Sequence, residues 1–103
     1  MEETVALGGN IELKGFSEID KPSMVIVKKV IGNYAKRFAE RNREFSKVTL
    51  TLKTIHEHEK GGKFEVQGKL ILGGSTVNAE IIDKNLFYSI DTVLKKLENE
   101  ISK

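Results

Sequence analysis

The chain has 103 residues, 39% hydrophobic and 31% charged, with no cysteine and a formal net charge of +2. That length builds one domain, spanning 1–103, around a single core, and without cysteine there are no disulfides, thiolate metal sites or cysteine nucleophiles. No apolar run approaches the roughly 20 residues of a membrane span, and Met1 to Asn10 lacks the basic start and apolar run of a signal peptide, so a cytoplasmic location is expected.

Residues 1–10 read as a loosely ordered lead-in. Ile11-Glu12-Leu13-Lys14 then alternates apolar and polar side chains, the period of a half-buried strand that Gly15 ends. Asp20-Lys21-Pro22 reads as a helix start, because Asp accepts from orphan amides and Pro is tolerated in the first turn. The helix runs to about Asn42. Its opening, Met24-Val25-Ile26-Val27, is rich in β-branched residues, yet no alternation survives past Val30, while Val27, Ile31, Tyr34 and Phe38 keep helical spacing. Gly32 lies inside it at a cost of roughly 1 kcal/mol relative to Ala, so packing must hold this helix.

Three strands follow. Val48, Leu50 and Leu52 alternate with Lys47, Thr49, Thr51 and Lys53. His56-Glu57-His58-Glu59-Lys60-Gly61-Gly62 is polar and ends in a glycine pair, as a hairpin end does. Phe64, Val66, Leu70 and Leu72 then share a face with Gly68 in phase, and Gly73-Gly74 supplies the positive φ angles of a tight hairpin. Val77, Ala79 and Ile81 form the next apolar face. Asp83 is placed to cap a last helix over 84–102, which buries Leu86, Ile90, Val93 or Leu94, Leu97 and Ile101. The order is β-α-β-β-β-α. One apolar stripe per helix and one apolar sheet face define an α+β two-layer sandwich, a four-stranded sheet with both helices packed on one face.

Charge is spread unevenly over this frame. Residues 21–43 hold seven cations (Lys21, Lys28, Lys29, Lys36, Arg37, Arg41, Arg43) against Glu40 alone, while the other 80 residues hold ten cations and fourteen acids. At about 100° per residue, Lys29, Lys36 and Arg43 lie opposite the apolar stripe, with Lys28 and Arg37 at its borders. A helix that buries one side and presents a row of cations on the other suits a polyanion, although the same pattern also serves as a solvated face. Tyr34 and Phe38 fall on the apolar stripe and are read as core. Tyr88 lies off the buried stripe of the last helix and is the one aromatic placed to touch a partner. His56 and His58 have metal-ligand spacing on a strand but lack a third ligand, so neither metal nor cofactor is expected. The chain contains no Gly-x-Ser-x-Gly elbow, phosphate loop or dinucleotide fingerprint, and a non-enzymatic binding function is expected.

The last strand and helix carry a family resemblance. Asn85-Leu86-Phe87-Tyr88-Ser89-Ile90-Asp91, followed by Lys96-Leu97 and the polar end Ile101-Ser102-Lys103, resembles the carboxy-terminal signature of the ribosome hibernation-promoting factors, also called protein Y or ribosomal subunit interface protein. The pairs Ile90-Asp91 and Lys96-Leu97 match that signature, and Phe87 stands where the family usually has Tyr. Lys14-Gly15 and Glu18-Ile19 resemble the family's opening, so the likeness spans 11–103. The resemblance implies binding to the small ribosomal subunit in the channel between head and body, over the sites of messenger RNA and tRNA anticodon stems, which silences idle ribosomes. It implies contacts between helix cations and ribosomal RNA phosphates: Lys28, Lys29, Lys36, Arg37, Arg41 and Arg43 from the first helix, with Lys95, Lys96 and Lys103 from the second. Ending with that helix, the chain resembles the short form of the family, without the domain that pairs two ribosomes in long members.

Three features depart from the family pattern: the modest net charge, the acids Glu57, Glu59 and Glu65, and Pro22 before the first helix. Two other binding functions fit the residues. One is a double-stranded RNA module, since residues 22 onward run α-β-β-β-α, though Lys84 alone stands at the start of the last helix. The other is a protein-interaction or homodimer domain using the open sheet face of Thr49, Thr51, Gln67, Thr76 and Asn78. A monomer on the ribosome, with neither membrane nor small-molecule partner, is the expected state. Exchanging Lys29, Lys36 and Arg37 for Glu is then expected to abolish ribosome binding without unfolding the domain.

Overall fold

The computed structural model describes residues 4–6, 9–56 and 62–102. The elements are β1 (Thr4–Ala6), β2 (Ile11–Lys14), α1 (Lys21–Arg41), β3 (Phe45–His56), β4 (Gly62–Leu72), β5 (Ser75–Asp83) and α2 (Leu86–Ile101). The four expected strands form a sheet in the order β2-β3-β4-β5, and short β1 extends it by pairing antiparallel with β2. β2 and β3 are parallel, which requires the crossover that α1 supplies; β3, β4 and β5 form an antiparallel meander.

Both helix starts are capped by side chains. Asp20 accepts from the Ser23 amide at 3.0 Å, with Pro22 in the first turn as the sequence predicts. That hydrogen bond favours the carboxylate and holds the Asp20 pKa below its ordinary value. At α2 the structure moves the cap two residues on from Asp83. Asn85 accepts from the Tyr88 amide at 2.9 Å, while Asp83 accepts from the Asn85 amide at 2.8 Å and shapes the turn before the helix.

The core lies between the helix layer and one sheet face. Val27, Ile31, Tyr34, Ala35 and Phe38 of α1 and Ile90, Val93, Leu94 and Leu97 of α2 are buried against Leu13, Val48, Leu50, Val66 and Leu70. Two glycines set close approaches. A side chain at Gly68 would meet Val93, Leu97 and Leu50, so its absence lets α2 settle on β4. Gly15 has φ 81° and sits under the Leu52 carbonyl, room that only glycine leaves. At the β4–β5 hairpin only Gly73, the first central residue, takes a positive φ (58°), as in a type II′ turn.

Candidate nucleic-acid interface

A helix of 21 residues is about 31 Å long. Five side chains along one flank anchor α1 in the core, so its outer flank has a fixed backbone. Lys28, Lys29 and Lys36 are exposed on that flank, and Arg43 is exposed in the turn that follows. None of the four has an ion pair or hydrogen bond among the described residues.

Arg37 and Arg41 are placed differently. Tyr34 pairs with Asp91, Arg37 with Glu98 and Arg41 with Ser102, a sequence of contacts that rises along both helices, so α1 and α2 run parallel and are clasped side by side. Arg37 donates from Nε to Glu98 Oε2 at 2.8 Å, and its guanidinium lies 4.2 Å from the centre of the Tyr34 ring. Arg41 donates from Nη1 to Ser102 Oγ at 2.9 Å, and its Nε lies 3.6 Å from the same Glu98 carboxylate. The side chains of Arg37 and Arg41 remain 43% and 50% exposed while that of Glu98 is 15% exposed, so one sheltered acid serves two half-open cations. The hydrogen bond to Glu98 raises the Arg37 pKa further above its already high value.

Tyr34 donates its phenol to Asp91 Oδ1 at 2.8 Å. Burial, reinforced by that hydrogen bond and by the charge of Asp91, pushes its pKa up to about 12. On α2, Lys95 Nζ is 3.8 Å from Asp91 Oδ2, and Lys96 donates to the Glu80 carbonyl on β5 at 3.1 Å. Lys103 lies outside the described residues, as do His58, Glu57 and Glu59 and the side chain of His56. Among the described residues no group of acids and histidines could hold a metal ion. Among the described residues no helix is long and apolar enough to cross a membrane.

Of the nine candidate cations eight are described, and they divide. Lys28, Lys29, Lys36 and Arg43 are exposed without a partner among the described residues, Arg37 and Arg41 line the seam between the helices, Lys95 pairs within α2 with Asp91, and Lys96 anchors α2 to β5. Sequence periodicity finds the outward group. It misses Glu98 as the acid of the seam, because nothing in the sequence says that residues 37 and 98 are neighbours. Tyr88 is exposed, as its place off the stripe predicts, and Phe87 beside it is exposed as well. The exposed Val25 and Ile26 add an apolar start to the outer flank of α1.

No protein-family model and no curated protein matches the chain. Among solved structures, a ribosomal subunit interface protein from Coxiella burnetii is similar, with 23% identity over 68% of this chain and 76% of that one, at a TM-score of 0.47. So loose a superposition carries no functional conclusion.

Proposed function

We propose that this protein is a ribosome-associated translation inhibitor that binds the small ribosomal subunit in the channel for messenger RNA and tRNA, through the cationic faces of its helices. The observation that carries this function is the outward row of Lys28, Lys29 and Lys36, with Arg43 in the turn beyond it, unpaired among the described residues and set by a helix whose backbone is fixed by its buried side. Cations held in that way release counterions from a phosphate backbone without first giving up an internal partner. Lysine and arginine read phosphate, not base edges, so the target is recognised by its shape. The residue pattern of α2 and its resemblance to the hibernation-promoting factors point to the ribosome as that shape.

A duplex-RNA module shares the element order, yet the start of α2 presents Phe87 and Tyr88, with Lys84 the only cation beside them. The open sheet face is mostly polar, with Ile82 exposed beside Glu65, and is partly satisfied within itself: Lys47 lies 3.5 Å from Glu12, and Gln67 donates to Glu65 at 2.6 Å.

Co-sedimentation with small subunits and whole ribosomes, at low and high salt, tests the function. Stoichiometric pelleting that fades with salt is the expected outcome. Protein that stays in the supernatant at every salt would rule the ribosome out, and equal affinity for naked duplex RNA would favour the duplex module. A mass that rises with concentration, without RNA affinity, would favour the sheet face.

A further inference from the structure

Gly32 stands in the middle of α1 with no structural reason among the described residues. A Cβ built there meets nothing within 4 Å, and Gly32 is not among the residues with positive φ, so neither packing nor backbone conformation calls for glycine. Gly15 and Gly68 differ, because the fold itself fills the space a side chain would take. Glycine is nonetheless a poor residue for a helix interior. What surrounds it supplies a reason. On a helix surface the neighbours of residue i are i±3 and i±4, which here are Lys28, Lys29 and Lys36 together with buried Ala35. The three lysines are exposed and have no ion-pair partner among the described residues. Lys28, Gly32 and Lys36 follow one ridge in steps of about 6 Å along the axis. The outer flank of α1 thus has a patch of bare backbone flanked by three cations.

We propose that Gly32 is the point of closest approach for an RNA sugar–phosphate backbone, which crosses α1 there so that neighbouring phosphates reach Lys28 and Lys29 on one side and Lys36 on the other. The inference rests on the RNA-binding function above and adds to it a steric requirement at a neutral residue. A side chain at position 32 would hold the strand off the helix and weaken all three lysine contacts together, with no change in charge.

The test compares wild type, Gly32→Ala, Gly32→Leu and the charge control Lys28→Gln for binding to small ribosomal subunits across a salt series, with a thermal melt of each protein. Both glycine variants should melt above wild type, because Ala and Leu are better helix formers than Gly. Gly32→Leu should nevertheless bind about tenfold more weakly with a shallower salt dependence, and Gly32→Ala should fall between it and wild type. A more stable protein that binds worse cannot be explained by unfolding. Wild-type affinity in Gly32→Leu beside a loss in Lys28→Gln would overturn the close approach and leave the RNA function standing. Absence of binding by wild type itself would remove both.

Discussion

A methyl group on residue 68 would press into Val93 and Leu97, and at that point the whole seating of α2 depends on one missing side chain. Gly68→Ala is therefore expected to destabilise the domain by about 1–3 kcal/mol, the usual cost of overpacking, measured by urea unfolding. Two residues near the start of α2 make a second contrast. Asp83 and Asn85 are both good capping types, and sequence alone favours the acid. The backbone leaves β5 through Asp83 and turns at Asn85, so Asn85 receives the Tyr88 amide. Asn85→Ala should cost about 1 kcal/mol and Asp83→Ala clearly less, by the same measurement. Tyr34 supplies a pH signature. Its raised pKa means that its contribution to stability is fully present below pH 10 and is lost as pH rises towards about 12. In a Tyr88→Phe protein the remaining phenol should titrate near 12 by ultraviolet absorbance, and Tyr34→Phe should remove that part of the alkaline fall in stability.

Between elements, the clasp of α1 to α2 decides how many cations are free to bind. Glu98 receives Arg37 and faces Arg41, so it stabilises the helix pair and at the same time withholds two arginines from any outside phosphate. Glu98→Gln is expected to lower the thermal midpoint slightly, since half-exposed pairs contribute little. It should also strengthen RNA binding several-fold at low salt, because one acid leaves and two cations are released. Unchanged or weaker binding in this variant would mean that the seam does not face the RNA. The faces of the elements were legible in the sequence, the clasp was not. Val27, Ile31, Tyr34 and Phe38 are buried where helical spacing puts them, and Lys28, Lys29 and Lys36 are exposed where it puts cations. Periodicity describes an element against a generic core and says nothing about which neighbour lies beside it. The pairs Arg37–Glu98 and Tyr34–Asp91 are 61 and 57 residues apart and exist only because two parallel helices share one sheet face. The α2 motif has a matching physical account. Ile90 and Leu97 are buried, Asp91 takes the Tyr34 phenol and Lys96 holds the β5 edge. Ile90, Asp91, Lys96 and Leu97, the pairs that match the family signature, thus build the fold.

At the scale of the molecule, the +2 net charge describes neither half of the protein. Cations gather on one helix and its following turn, and acids outnumber cations over the rest, so the charge is distributed unevenly, as suits an approach to a polyanion with that helix leading. The division of cations makes this quantitative. If only Lys28, Lys29, Lys36 and Arg43 meet phosphates, the logarithm of affinity should fall with the logarithm of salt at a slope of roughly −3 to −4. If the seam residues Arg37 and Arg41 and the α2 residues Lys95 and Lys96 join them, the slope should approach about −6 to −7. The charge-reversal set should therefore be Lys28, Lys29 and Lys36, because reversing Arg37 would place an acid against Glu98 and confound binding with stability. Exchanging these three for Glu should leave the melting temperature close to wild type, since none has a described ionic partner to lose. Pelleting with small subunits should vanish at low salt. A folded triple variant that still pellets as wild type would show that the outer face of α1 is a solvated surface and that the contact lies elsewhere on the domain.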